Sequence, residues 1–232
     1  MEYSLFFHIW PWIGCGAALV LLIICLFTDI FRKNKTLPRW SDPSWLAWIL
    51  AVIYLLHNVE EYGIDINGVT ISFAKMMAQL MPPGLTEWTY TSINISMFWI
   101  VAPLIALAAR KFPSLAGFMA TIVIVNGLSH CASFAMGGYN PGLATGILLF
   151  LPIGFWTLYV LKKKTGVGKK LFWGIFAWGF VCHMSLYISI ILNRTGIIND
   201  TAQGWFMWIS DFACGLFVYR FAKKQEEKQL QM

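Results

Sequence analysis

Apolar runs close to twenty residues long recur from one end of this chain to the other, and nothing else in the sequence constrains the fold as strongly. A helix needs about 20 predominantly apolar residues to cross the ~30 Å hydrocarbon core of a bilayer. Composition points the same way, since 58% of the 232 residues carry apolar side chains and 12% are charged, far from the balance of a soluble domain. The runs leave no room for a separate soluble unit. Residues 1–232 therefore read as a single integral membrane domain, all-α, a polytopic helix bundle of about seven transmembrane helices. The first run, Trp10 to Phe31, is too long for a signal-peptide core and has neither a basic segment before it nor a small-residue cleavage site; it is expected to remain as a transmembrane helix.

The net charge of +6 sets orientation and implies no nucleic-acid partner. Fifteen of the seventeen Lys and Arg residues fall in Arg32 to Arg39, Arg110 with Lys111, Lys162 to Lys170, and Arg220 to Lys228. These are every second loop plus the tail, the positive-inside pattern, which places the N-terminus outside, the C-terminus inside, and the basic residues against anionic headgroups. Residues 221–232 form a short cytoplasmic tail, expected to fray. The five cysteines all fall inside apolar runs and form no CxxC knuckle or disulfide framework. The absence of a targeting segment and of long loops suggests a multi-pass protein of the bacterial plasma membrane.

In chain order, the second helix opens at Ser41-Asp42-Pro43, a cap residue followed by proline, and runs to about Tyr62. Asn67-Gly68 marks a turn and Met81-Pro82-Pro83-Gly84 a break; between them Val69 to Met81 suits a short helix acting as a lid or re-entering the membrane. Further helices are expected over Glu87–Ala109, Pro113–Met136, Leu143–Val160, Leu171–Leu192 and Gly204–Tyr219, with kinks at Pro103 and Pro152. Asp29 reads as an interfacial carboxylate. No internal repeat is evident, which gives an inverted-repeat transporter little direct support.

His57-Asn58-Val59-Glu60-Glu61, at the end of the apolar run of the second helix, is the stretch around which chemistry gathers. Residues at i, i+3 and i+4 share a helix face, so His57, Glu60 and Glu61 can address a common spot. A charged side chain at bilayer depth costs roughly 2.5–3.5 kcal/mol on insertion scales, so a paired carboxylate calls for a cation, a proton or a water-filled cavity. Helix starts and the ~1.5 Å rise per residue put His57 and His183 at ~20 Å from the inner face, His130 at ~24 Å, Asn94 at ~20 Å and Asp211 at ~18 Å. Five helices thus offer a polar group at one depth. Each has a plainer role as well: Asp211 balanced by a neighbour as a packing device, His183 hydrogen-bonded to an adjacent helix, and Asn94 and Asn126 as helix-to-helix glue or support for ligands.

HNVEE, a second histidine at His130, and Tyr139-Asn140-Pro141-Gly142, in this order, together resemble the HXXEE family of integral membrane proteins, defined by this motif, another histidine and a YxPG motif. The resemblance implies that His57, Glu60, Glu61, His130 and the YNPG turn form the functional set; it assigns no reaction. Asn-Pro-Gly is also a good turn between antiparallel helices, with Tyr139 free to donate its hydroxyl to substrate or to a glutamate.

The residue types support four chemistries. The first is a metal centre, zinc or iron, with ligands from His57, Glu60, Glu61, His130, His183 and Asp211, an open position for hydrolytic chemistry, and Asn94 and Asn126 in support. The second is metal-free acid/base catalysis, an isomerase using Glu60 or Glu61 with a histidine. A proton- or cation-coupled transporter on the same carboxylates is the third. A haem held by His57 and His130 comes last, because two carboxylates fit poorly beside a haem ligand. The di-iron bundles order their motif Glu-x-x-His, the reverse of this one, and the HxxxH signature of membrane lipid hydrolases is absent. The reading that follows is a membrane-embedded, metal-dependent, hydrolase-like enzyme acting on a lipid or other apolar substrate, with Glu60, Glu61 and Tyr139 as catalytic candidates. Membrane lipids are its expected surroundings, and its oligomeric state is left open.

Overall fold

The structure, a computed structural model, describes residues 2–81 and 84–231, so the expected break at Met81–Gly84 falls partly outside the described residues, as does the last residue of the tail. It is all-α. Helix α1 spans Leu5–Phe27, α2 spans Pro43–Asn58 and continues through a π-helical turn, Val59–Gly63, and α3 is the short Ser72–Leu80. Then come α4 (Glu87–Ala109), α5 (Pro113–Gly137), α6 (Leu143–Lys164), α7 (Lys169–Arg194) and α8 (Asp200–Leu230). Five of these, α1, α4, α5, α6 and α7, are long and apolar enough to cross a membrane. The chain is a membrane protein. The two other long helices owe their lower hydropathy to what they carry: His57, Asn58, Glu60 and Glu61 at the end of α2, and the charged last third of α8.

Helix α2 is the axis. Every residue from Pro43 to Leu55 is buried, as befits a helix that is apolar all round, and it packs against α1, α4, α5 and α6. It starts where the sequence places it, with Asp42 accepting from the Ser44 amide at 2.9 Å and Pro43 in the first turn. Helix α1 begins about a turn earlier than its apolar run suggests, because Ser4 caps it by accepting from Phe7 N–H, and it stops at Thr28. Asp29 thereby falls in the loop, paired with Arg32 at 2.7 Å and Arg39 at 3.3 Å; the hydrogen bond from Arg32 holds its carboxyl below the usual range.

Two departures from expectation have local causes. π-helical turns, Ile95–Val101 and Gly146–Phe150, lie just before the two prolines at which kinks are expected, Pro103 and Pro152, each of which leaves a helix hydrogen bond unmade. The tail does not fray at Tyr219. Residues 221–230 continue α8, being rich in helix formers, and Glu226 docks on the start of α5, accepting from the backbone N–H of Ser114 at 3.0 Å.

Candidate functional site

The π-helical turn that ends α2 turns its two carboxylates to different neighbours. Glu61 Oε1 lies 3.4 Å from His57 Nε2 and 3.5 Å from His130 Nε2 of α5. Ligand atoms of these three buried residues lie within 4.8 Å of one another. Glu60 instead faces the start of α6: it accepts from the Ala144 N–H at 3.0 Å, from the Thr145 N–H at 2.7 Å, from the Thr145 hydroxyl at 2.6 Å and from the Tyr139 hydroxyl at 3.2 Å. Those amides are among the free donors of a helix N-terminus, and a carboxylate there also meets the positive end of the helix dipole.

The hydrogen bonds fix which ring nitrogen of each histidine carries a proton. Asn140 donates its Nδ2 to the carbonyl of His130 at 3.0 Å, leaving its Oδ1 to accept from His130 Nδ1 at 2.6 Å. The Thr145 hydroxyl has its proton committed to Glu60, so at 2.7 Å it accepts from His57 Nδ1. With Nδ1 carrying the proton, the neutral form of each ring presents a bare Nε2 electron pair to Glu61. His57 Nε2 has no hydrogen-bond partner. Three electron pairs facing one another in a buried space repel unless a positive charge, metal or proton, lies among them.

The YNPG turn builds this arrangement. Gly142 has φ +95°, and a Cβ there would sit 2.5 Å from His130 Cε1 and 2.6 Å from His57 Cε1, so the chain can pass the two imidazoles only as glycine. Tyr139, in the loop, is held in its protonated form, its pKa pushed up by burial and by Glu60. The turn is thus both a helix connection and part of the site.

The remaining candidates are spread more widely. His183 on α7 lines the same cavity as Glu61 and His130, its Nε2 buried without a partner. Asn126 donates to the Tyr54 hydroxyl at 2.7 Å, while Asn94 reaches the cavity and donates to the Tyr90 carbonyl of its own helix. Asp211 stands apart, accepting from Ser96 of α4 at 2.5 Å, with Cys182 of α7 at 3.7 Å. Sequence patterns give no reason to single out Thr145 or Tyr54; the one cue for Thr145 is its place in the first turn of a helix, where hydroxyl residues gather.

Fold and cluster together define a membrane-embedded α-helical protein with a buried histidine–carboxylate centre. Residues 48–157 match the model of the family described as "protein of unknown function with HXXEE motif", so the resemblance carried by HNVEE, His130 and YNPG stands. The chain is also similar to the Na(+)/H(+) antiporter NhaA of Flavobacterium psychrophilum, at 23% identity over 190 residues covering 77% of this chain and 44% of that protein. It thus spans less than half the length of this curated relative. No solved structure matches.

Proposed function

We propose that His57, Glu61 and His130 hold a divalent transition metal, zinc or iron, in a membrane-embedded enzyme that acts on a lipid or another apolar molecule. The observation carrying this reading is the set of three buried ligand atoms within 4.8 Å of one another, with each ring's Nδ1 hydrogen-bonded to a neighbouring oxygen. Two imidazoles and one carboxylate form a ligand set shared by hydrolytic zinc and oxygenase iron sites, and a hydrogen-bonded second nitrogen is the usual support of a metal-bound histidine. When bound, such a metal supplies Lewis-acid activation of water or of a carbonyl. The chain's own residues orient the ligands: Thr145 and Glu60 position His57, Asn140 positions His130, and Gly142 keeps the two rings in place. Seven spans, with the N-terminus out and the C-terminus in, would put this centre in the outer half of a bacterial plasma membrane. Elemental analysis of the purified protein beside a His57→Ala, Glu61→Ala double variant tests the reading. About one equivalent of metal per chain, lost in the folded variant, is the expected result; equal metal in both samples, or none in either, would contradict it.

A second reading, a proton- or cation-coupled transporter, is favoured by the similarity to an antiporter and by two buried carboxylates, Glu61 and Asp211, on separate helices. Proteoliposomes under an imposed pH gradient discriminate: sodium flux abolished by Glu61→Gln and Asp211→Asn would replace the enzyme by a transporter.

A further inference from the structure

Helices α5 and α7 touch closely at their first halves and part further on. A Cβ on Gly179 of α7 would stand 2.6 Å from Thr121 Cβ and 2.7 Å from the Phe118 carbonyl oxygen of α5, and one on Gly117 of α5 would come within 3.1 Å of Ile175 Cγ2 of α7. Only glycine lets the two backbones approach so nearly. Both helices run the same way, so this register, continued outward, sets Ser129 level with Tyr187 and Ser133 level with Ile191. There the side chains leave a gap. Ser133 is exposed, Tyr187 is 38% exposed, and both line the cavity at Glu61 and His130. The cavity therefore opens sideways between the later halves of α5 and α7, with Leu80, at the exposed end of α3, on its rim.

The surface around this mouth is apolar. Leu128 and Phe134 of α5 and Ile188 and Ile191 of α7 are about half exposed or more, the pattern of a face that meets hydrocarbon. Inside the mouth, Phe73, Met76, Met77 and Leu80 make a single stripe of α3 at i, i+3, i+4 and i+7.

One cation stands at the rim. Of the seventeen Lys and Arg residues only Lys75 and Arg194 lie outside the four basic clusters, and Lys75 lines a separate cleft with Glu2 and His8. Arg194 comes one helical turn after Ile190, a residue of the cavity wall, on the same face of α7. Its Nη2 donates to the Gly84 carbonyl at 2.8 Å, next to Leu85, which also lines the cavity. The residue is exposed, and among the described residues no carboxylate pairs with it; Asp200 accepts instead from Asn193 at 2.8 Å. A guanidinium carries five donors in a fork that matches phosphate, and most of this fork is unspent.

We propose that the mouth between α5 and α7 admits an anionic phospholipid from the outer leaflet, its phosphate on Arg194 and one acyl chain passing Ser133 and Tyr187 to lie along the α3 stripe. The inference rests on the enzyme reading above, with its centre in the outer half of the bilayer, and narrows the lipid to one class. Arg194 is thereby the residue that recognises the headgroup.

The probes are phosphatidylglycerol carrying a diazirine in one acyl chain and diacylglycerol carrying the same chain, each added in trace to the full-length protein in nanodiscs, with adducts mapped by peptide mass spectrometry. Adducts are expected on residues 76–80 and 186–190, roughly fivefold more from phosphatidylglycerol, the worth of one ion pair at an interface. Arg194→Gln should bring the two lipids level. Ser133→Trp and Ile190→Trp, which plug the mouth from α5 and from α7, should each abolish adducts on Met76 and Met77 from both lipids. Equal labelling by the two lipids in the parent, a preference that survives Arg194→Gln, or adducts on Met76 and Met77 that survive both plugs would overturn the proposal. Metal content of the same samples reports separately on the cation reading: full metal with unselective labelling sinks this inference alone, and selective labelling without metal sinks the metal centre alone.

Discussion

Glu60 and Glu61 are neighbours in the chain and opposites in surroundings. Glu60 receives four hydrogen bonds from Tyr139, Ala144 and Thr145. Glu61 faces two bare imidazole nitrogens and a cavity. A carboxylate with its acceptor sites filled by fixed donors is a structural anchor; one opposed by other acceptors is a site waiting for a positive charge. One turn of helix thus carries both the clamp and the centre it clamps.

Substitutions at five positions sharpen or break this contrast. The largest effect is expected at Gly142, where both halves meet. Gly142→Ala forces a Cβ into the two imidazoles at a left-handed φ, which should cost about 3 kcal/mol or more in thermal unfolding and abolish cation binding as well. Next comes Glu60→Ala, which strands the donors of the α6 start and should cost about 2–4 kcal/mol. Glu61→Ala, by contrast, removes an acceptor that faces two imidazole nitrogens and should leave the metal-free protein within about 1 kcal/mol of the parent, or above it. Equal destabilisation by the two changes would erase the distinction.

The fourth position tests how the clamp reaches the centre. Thr145→Val breaks the link from Glu60 to His57 Nδ1 and should weaken metal binding by roughly 10–100-fold, the usual effect of losing a ligand's support. Thr145→Ser should restore it, and ¹⁵N NMR of the histidine rings should show the Nδ1–H tautomer of His57 in the parent and the serine variant alone. The smallest effect is expected from Tyr139→Phe, which removes one of four donors to Glu60: about 0.5–1.5 kcal/mol in stability, with metal binding unchanged.

Much of this architecture was legible in the residues. The helices from α4 to α7 followed from apolar runs and the start of α2 from Asp42-Pro43, whereas α1 lies about a turn earlier than its run and α8 continues past its own to Leu230. The π-helical turns were not legible, since no side-chain pattern encodes a widened turn, and one of them decides the site: in a regular α-helix His57, Glu60 and Glu61 share a face, whereas the turn at Val59–Gly63 keeps His57 and Glu61 together and swings Glu60 towards α6. Depth counting gathered the polar groups at one level but carries no information on direction around the bundle. It therefore offered His183 and Asp211 alike as ligands, yet His183 lines the cavity outside the group of His57, Glu61 and His130, and Asp211 points at Ser96 and Cys182. The motif contributed what geometry could not, tying His57, His130 and the YNPG turn together across three helices.

The most direct test of the central claim is metal affinity measured side by side for the parent protein, Glu60→Gln and Glu61→Gln, each purified in mild detergent and titrated with zinc or iron(II). The account predicts tight binding of about one equivalent in the parent, loss in Glu61→Gln, and a weakened but measurable site in Glu60→Gln. Undiminished binding in Glu61→Gln, or loss confined to Glu60→Gln, would contradict it and move the cation to the other face of the turn.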